Sequence, residues 1–143
     1  MSNQNDVANL NENNVLLDVQ GLKKHFPIRR GLFKRVVGHV KAVDGINFFI
    51  REGETLGLVG ESGCGKTTAG RTLLHLLEPT AGTVRFKDPE QGWVDIATKS
   101  RQDLQTIRPN MQIIFQDPFA SLNPRMTVKR IVAEPLVINK VAD

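Results

Sequence analysis

The sequence predicts an α/β fold, and three observations carry this prediction. A short apolar run, TLGLVG at residues 55–60, is bounded by turn residues, which is typical of a strand buried on both faces of a sheet. This run leads through a glycine-rich loop into residues 66–77, where apolar side chains recur with helical spacing. A second apolar run, QIIFQ at residues 112–116, has the same character and predicts another buried strand.

Length and composition fit one globular domain. The chain has 143 residues, of which 40% are hydrophobic and 24% are charged, and both fractions are near globular averages. No apolar run approaches the roughly 18 residues of a membrane-spanning helix. Residues 1–14 are polar and rich in asparagine, so we expect a disordered tail and no signal peptide. The single cysteine, Cys64, excludes an internal disulfide and fits a reducing cytosol.

Basic residues are concentrated before the glycine loop. The net charge is +4, and residues 23–41 hold seven lysines and arginines with no aspartate or glutamate. Such a run could meet nucleic acid or an anionic membrane surface, or it could form a solvated loop. The composition leaves these three possibilities open.

The segments before the glycine loop are predicted from strand and turn patterns. We expect a strand at residues 15–20 that continues in extended form to Pro27, and then a basic loop at residues 31–39. The remaining predicted elements of this part are a turn at Asp44-Gly45, an apolar strand at residues 46–50 and a polar turn at residues 51–54.

The segments after the loop alternate helix and strand patterns. The helix is expected to run from Lys66 to Leu77, where Pro79 prevents its continuation. The side chains expected to face the sheet are Ala69, Leu73, Leu76 and Leu77. The later predictions are a strand at 82–86, a loop at 87–93, a helix capped by Ser100 and reaching about Ile107, and a helix from about Thr127 that Pro135 breaks.

The glycine loop carries the pattern G-x-x-x-x-G-K-[ST] of a phosphate-binding P-loop in Gly60, Gly65, Lys66 and Thr67. Glycines let successive N–H groups form a nest around phosphates, and the helix beginning near Lys66 adds its positive dipole end. Lys66 supplies a cation, and the Thr67 hydroxyl is suited to ligate Mg²⁺. The predicted nucleotide-binding residues of the loop are Gly60, Ser62, Gly63, Cys64, Gly65, Lys66, Thr67 and Thr68.

Cys64 occupies a variable position of the P-loop pattern. We expect it to contribute its backbone to the loop. A redox-sensitive thiol is the alternative, because the start of a helix lowers the pKa of a cysteine.

Two segments resemble ABC transporter ATPases. GLVGESGCGKTTAGRTLLHLLEPTAGTVRF resembles their P-loop region, including the Pro-Thr-x-Gly turn after the helix, and QIIFQDP resembles their Q-loop, with Gln116 as the glutamine. The basic segment before the P-loop, together with QIIFQDPFASLNPRMTV, is similar to the oligopeptide and dipeptide importer branch. Within that branch the similarity is greatest to the second of the two ATPase types that such importers pair. The resemblance extends from about Val15 to the last residue, and Thr67 stands where many relatives carry Ser.

The resemblance implies ATP and Mg²⁺ as cofactors and assigns two further roles. Phe26 falls where the family stacks an aromatic ring on adenine; the adjacent His25 is an alternative, and Phe26 could also be an ordinary core residue. Gln116 would be the catalytic glutamine that approaches Mg²⁺ and the attacking water, because an amide both donates and accepts hydrogen bonds. Its alternative is a polar residue at a strand end.

The resemblance also implies an ABC-type P-loop NTPase core, incomplete in this sequence, with an N-terminal antiparallel β-subdomain. Residues 15–143 would be the N-terminal part of a nucleotide-binding domain, because no LSGGQ signature, Walker B strand or switch histidine follows Gln116. We therefore expect these 143 residues alone to show no ATPase activity and at most weak Mg-ATP binding. Poor solubility is also expected, because the strands that would flank the two apolar runs come later in the family.

As a function, the resemblance implies the ATP-binding subunit of an oligopeptide or dipeptide importer. In that family the subunit pairs with a second ATP-binding subunit and two membrane-spanning permease subunits, and indirectly with an extracytoplasmic peptide-binding protein. It is cytoplasmic and peripheral on the inner face of the cell membrane, and no nucleic acid is expected. The alternatives are a stand-alone nucleotide-binding module that does not hydrolyse ATP, and a nucleic-acid-associated P-loop ATPase that uses residues 23–41.

Overall fold

The computed structural model describes residues 14–100, 102–116 and 122–138. They belong to two compact units, one ending at Leu104 and the other beginning at Gln105. Apart from Asn14, the predicted disordered tail lies outside the described residues, and no described helix is long and apolar enough to cross a lipid bilayer. The elements are strands β1 (Val15–Arg30), β2 (Arg35–Arg51), β3 (Ala81–Asp88) and β4 (Gly92–Asp95), helices α1 (Lys66–Leu73) and α2 (Val128–Ile138), and 3₁₀ turns at Ile96–Thr98, Asp103–Gln105 and Arg108–Asn110.

The four strands form an antiparallel sheet with the order β2–β1–β3–β4, as expected of the antiparallel β-subdomain. Leu17 of β1 pairs with Phe86 of β3, and Val19 pairs with Val84; all four side chains are buried. Because side chains alternate along a strand, these pairs place one apolar face of the sheet in the core. The core of the first unit therefore lies against β1 and β3, and β2 forms one edge.

β2 is longer than the sequence patterns indicate. The predicted basic loop at 31–39 is wrong in part: only Gly31–Lys34 form a turn, and strand structure resumes at Arg35. Three valines between residues 36 and 40 explain the difference, because β-branched side chains favour strands. The predicted turn at Asp44-Gly45 is also wrong. Lys23 pairs with Asp44 and Leu22 with Ile46, so Gly45, at φ 82°, is the extra residue of a β-bulge within a continuous strand.

β3 confirms the predicted strand at 82–86, but the predicted loop at 87–93 is too long. Asp88 pairs with Gly92, and Lys87 pairs with Trp93, so only residues 89–91 connect β3 to β4. The Asp88 carboxylate accepts hydrogen bonds from the backbone N–H groups of Glu90 and Gln91 at 3.0 Å and closes this hairpin.

The two apolar runs at 55–60 and 112–116 form no strands, which contradicts the prediction. Their side chains are exposed, to 91% at Val59 and 98% at Ile114. A strand needs a hydrogen-bonded neighbour, and neither run belongs to the four-stranded sheet. The apolar composition of the two runs indicates that they tend to be buried. It does not identify the neighbouring strands that would bury them.

α1 begins at Lys66 as predicted but ends at Leu73, before the expected Leu77. His75 adopts a left-handed conformation with φ 51°, which an α-helix cannot accommodate. Of the four apolar side chains expected to face the sheet, Ala69 is buried, Leu73 and Leu77 are half-buried and Leu76 is exposed. The early end of the helix explains why Leu76 does not share the apolar face.

The later helix predictions are correct at their starts and wrong at their ends. Ser100 caps its turn, because its Oγ accepts the Asp103 N–H at 3.2 Å, but a 3₁₀ turn replaces the expected helix to Ile107. Pro109 has no N–H to extend a helix there. α2 starts beside Thr127 and passes through Pro135 to Ile138. The predicted break is wrong because proline removes one helix hydrogen bond without forcing its neighbours out of helical geometry.

Candidate functional site

The glycine loop ends in a left-handed residue that starts α1. Gly65 has φ 101° and is the N-cap of the helix, where its carbonyl oxygen accepts the Ala69 N–H at 2.8 Å. Gly63 is also left-handed, at φ 82°. L-residues with side chains avoid this conformation. The first N–H groups of α1 have no partner inside the helix and point outward beyond its N-terminal end, so they are available to an anion.

Lys66 is held inside the loop by the loop's own backbone. Its Nζ donates to the carbonyl oxygen of Gly60 at 2.7 Å and to that of Glu61 at 2.6 Å, and it lies 3.5 Å from the Cys64 sulfur. A Cβ at Gly60 would lie 2.7 Å from the same sulfur, so a side chain there would require the Cys64 side chain to move. The ammonium is therefore positioned within the loop by main-chain atoms.

The loop packs against β2 at a second β-bulge. Lys24 pairs with Val43 and His25 with Lys41, which leaves Ala42 as the extra residue. A Cβ at Gly65 would overlap the carbonyl oxygen of Ala42. The cleft between the loop and the strand has a volume of about 220 Å³. Its lining comprises Ala42, Val43, Asp44 and Ile46 of β2 with Leu58, Val59, Cys64, Gly65, Lys66 and Ala69.

Phe26 and His25 are adjacent on β1 but have different surroundings. The His25 Nε2 lies 2.9 Å from the Asp44 carboxylate, and its side chain is 17% exposed. The Phe26 ring is 37% exposed, with the Lys24 ammonium 5.1 Å from its centroid. Phe26 does not line the cleft beside the loop. Phe26 is the more exposed of the two residues, and both its role at adenine and its alternative as a core residue stay predictions.

The Pro79-Thr80 turn fixes this part of β1. The Thr80 Oγ1 accepts the backbone N–H of His25 at 2.9 Å, and the Thr80 N–H donates to the Lys23 carbonyl at 2.8 Å. The Lys24 ammonium also donates to the Glu78 carbonyl at 2.6 Å. The turn that follows α1 therefore holds the backbone that presents His25 and Phe26.

Asp44 is a residue that the sequence analysis did not single out. It lines the cleft, accepts hydrogen bonds from Lys41 at 3.1 Å and pairs with His25. Together these contacts, that of Lys41 first, hold the pKa of the Asp44 carboxyl below its ordinary value of 3.8. The Asp44-Gly45 pair is visible in the sequence as a turn signal. The position of Asp44 beside His25 and the loop depends on the register of β2 with β1.

This shift predicts a pH dependence of stability. Because the pKa of Asp44 is lowered on folding, its stabilising contribution is present above the unfolded pKa and is lost as the pH falls through the lower, folded value. We expect Asp44→Asn to reduce the slope of the free energy of unfolding against pH below about pH 4. Urea unfolding at a series of pH values measures this slope. Glu90→Gln, on the exposed β3–β4 connection, is the control, and equal slopes in both variants would contradict the prediction.

The other predicted site residues are distributed over both units. Ser62 and Thr67 are exposed, Thr68 is half-buried, and the Thr68 carbonyl accepts the Thr72 hydroxyl at 2.7 Å. Gln116 is exposed and lies in the second unit. The loop thus gathers N–H groups, an ammonium and hydroxyls, a set of donors suited to a phosphate. The roles of these residues, and that of Gln116, stay predictions.

Comparisons with known proteins identify the family of the chain. A family profile described as ABC transporter matches residues 43–141. The oligopeptide transport ATP-binding proteins AppF and OppF of Bacillus subtilis (strain 168) are 54% and 51% identical over 85% and 89% of this chain, which span 36% and 38% of those proteins. The dipeptide transport ATP-binding protein DppF of Haemophilus influenzae is 46% identical over 90% of this chain and 37% of its own length.

Solved structures agree in fold. The ATP-binding cassette MJ0796, in a dimeric post-hydrolysis state bound to ADP and Pi, has a TM-score of 0.69 at 23% identity and covers 90% of this chain and 50% of that one. A second dimeric structure of the same bacterial ABC transporter cassette has a TM-score of 0.67 at 24% identity, covering 87% of this chain and 48% of that one. The chain spans little more than a third of the transport proteins and half of the solved cassette. Since the family profile covers most of its length, this chain belongs to the ABC transporter family.

Proposed function

We propose that this chain is part of the ATP-binding subunit of an oligopeptide or dipeptide ABC importer and that its glycine loop binds the phosphates of Mg-ATP. The proposal rests mainly on the position of Lys66, whose ammonium is held at 2.6–2.7 Å by two loop carbonyls at the start of α1. The identity of about half the residues with transport ATP-binding proteins supports the choice of peptide import.

In this proposal each part of the loop has one task. The N–H groups following Gly65 bind phosphate oxygens, and Lys66 exchanges its loop carbonyls for the anion. Thr67 would hold Mg²⁺ through its hydroxyl, and the ion would supply positive charge to the phosphates. Ser62, Gly63, Cys64 and Thr68 complete the cradle, with Cys64 acting through its backbone. Gln116 would be the residue that approaches Mg²⁺ and the attacking water in a complete catalytic site.

The proposed assembly follows the same resemblance. Residues 15–143 would form the N-terminal part of a nucleotide-binding domain that works on the cytoplasmic side, at the inner face of the cell membrane. Its proposed partners are a second ATP-binding subunit, two membrane-spanning permease subunits and, indirectly, an extracytoplasmic peptide-binding protein. ATP binding and hydrolysis by the two ATP-binding subunits would drive the permease between its two orientations.

Nucleotide binding is tested by titrating the chain with trinitrophenyl-ATP in the presence of Mg²⁺ and by displacing this probe with ATP or inorganic triphosphate. We expect ATP to displace it. Import is tested in an amino-acid auxotroph of the source organism that lacks this gene. We expect the strain to grow on the free amino acid and to fail on di- and tripeptides that contain it. Unchanged growth on peptides would contradict peptide import without affecting the nucleotide site.

Phe26→Ala tests the proposed adenine contact. Stacking of a base on an aromatic ring contributes roughly 1–3 kcal/mol, judged from nucleic-acid sites, so the affinity for ATP should fall about 5- to 150-fold. The affinity for inorganic triphosphate should be unchanged, because that ligand has no base. Phe33→Ala is the matched control, since it removes an exposed ring from the same hairpin. Equal losses for both ligands would argue that Phe26 acts through the fold and would make His25 the next candidate.

A further inference from the structure

The β1–β2 hairpin extends beyond the rest of the sheet. The last β1 residue that pairs with β3 is Lys23, whereas pairing with β2 continues to Arg30. From Phe26 to Lys41 every residue is exposed except Gly38, which is half-buried. A two-stranded ribbon without a packed face is marginally stable in water, so contact with another surface would stabilise this one.

The turn of this hairpin has apolar residues at its apex. The Lys34 N–H donates to the Gly31 carbonyl at 3.0 Å, which closes a β-turn with Leu32 and Phe33 at its two central positions. Their side chains are 95% and 88% exposed. Central turn positions ordinarily favour glycine, proline, asparagine or aspartate. Leucine and phenylalanine there give the turn no conformational advantage and expose two large apolar side chains to solvent.

Four cations surround this apex: Arg29, Arg30, Lys34 and Arg35. Residues 23–41 contain no acid, and none of the four cations forms a salt bridge within the described part of the chain. Lys24 and Lys41 differ, because the first donates to Glu78 and the second pairs with Asp44. Apart from Lys23, the lysines and arginines of residues 23–41 whose side chains form no described salt bridge or hydrogen bond therefore all lie at residues 29–35, which we call the hairpin tip.

We propose that the hairpin tip docks directly on an anionic lipid membrane, with its four cations at the headgroup phosphates and with Leu32 and Phe33 at the acyl boundary. Basic side chains around exposed leucine and aromatic residues are the composition of interfacial membrane anchors. A nucleic-acid surface would use the cations but would leave the two apolar side chains without a role. This membrane contact is additional to any contact through permease subunits and does not depend on nucleotide binding.

The test is sedimentation of the full chain with vesicles of phosphatidylcholine that contain roughly a quarter phosphatidylglycerol, compared with pure phosphatidylcholine. We expect binding to the anionic vesicles only. Replacing the four tip cations by glutamine should lower the partition coefficient about 600-fold, because each of the four basic side chains contributes about fivefold at an anionic surface. The matched control is the quadruple change Arg108→Gln, Arg125→Gln, Lys129→Gln and Arg130→Gln. It removes the same number of positive charges outside the hairpin tip. The factor by which it lowers the partition coefficient should be less than about a tenth of the factor for the tip variant.

The apolar contribution is tested separately. Leu32→Asn with Phe33→Asn keeps the charge and should lower the partition coefficient about tenfold. Phe33→Trp in a Trp93→Phe background should show an emission shift to shorter wavelength with anionic vesicles. Circular dichroism verifies that each variant is folded.

Three results would overturn the proposal. One is equal binding of the tip and control charge variants. Another is vesicle binding without an emission shift in Phe33→Trp. The third is salt-sensitive binding of RNA or duplex DNA that depends on the tip while vesicles are not bound.

Discussion

Lys66→Ala, introduced into the complete ATP-binding subunit proposed above, is expected to lower the affinity for Mg-ATP by about a hundredfold or more. A hydrogen bond to a charged group contributes about 1.5–3 kcal/mol, and the ammonium would make more than one with the phosphates. The structure gives a further reason to expect a specific effect. The Lys66 side chain is already directed into the loop by the Gly60 and Glu61 carbonyls, so its removal takes away a positioned charge. Displacement of trinitrophenyl-ATP measures the change.

The matched control is Lys87→Ala. Lys87 forms a surface salt bridge with Glu52 at 3.4 Å, and neither residue lines the cleft beside the loop. Such pairs contribute about 0–1 kcal/mol. This variant should bind ATP as the unchanged chain does. If Lys66→Ala retained normal affinity while Lys87→Ala also did, the loop would not be a phosphate site.

Gly65→Ala is expected to impair both folding and binding. Alanine at φ 101° is strained, and its Cβ would overlap the Ala42 carbonyl oxygen, which is backbone and cannot rotate away. We expect a loss of roughly 2–4 kcal/mol in the free energy of unfolding. The N–H groups at the start of α1 would move with the loop, so phosphate affinity should fall as well. Urea unfolding and displacement of trinitrophenyl-ATP measure the two effects.

Gly63→Ala separates strain from overlap. Gly63 has a similar left-handed conformation at φ 82°, but no atom lies within 4 Å of a Cβ built there. Gly63→Ala should therefore lower the free energy of unfolding by only roughly 1–2 kcal/mol, which is the cost of a left-handed backbone for a residue with a side chain. Equal losses in the two variants would show that the contact with β2 has no energetic role.

The elements that were predicted correctly are those whose causes are local. The glycine loop, the start of α1 at Lys66 and the Ser100 cap depend on residues a few positions apart, and the structure has all three. The strand at 82–86 was also predicted, because β-branched and aromatic residues alternate there between turn residues. Short-range chemistry of this kind is visible in a sequence without knowledge of its partners.

The errors in the strands concern mainly contacts between distant segments, whereas the wrong helix ends are local. TLGLVG and QIIFQ have the composition of buried strands, but composition does not identify which strand would pair with them. The Asp44-Gly45 pair suits a turn and a bulge alike, and only the register with β1 decides between them. For the same reason the sequence did not reveal that Asp44 lies beside the loop while pairing with His25. The roles of Phe26 and Gln116 came from resemblance and had no local signal of their own.

The bulge at Ala42 implies a conflict between regularity and ligand affinity. Deleting Ala42 would place Lys41 next to Val43, and both could then keep their partners His25 and Lys24 in an unbroken ladder. The sheet would become more regular at this point, while the carbonyl oxygen that now abuts Gly65 would be lost. The deletion would thus exchange the contact with the loop for a regular ladder. Retention of the irregular strand is therefore expected wherever the loop must hold its ligand, and local imperfection in β2 would be maintained by function.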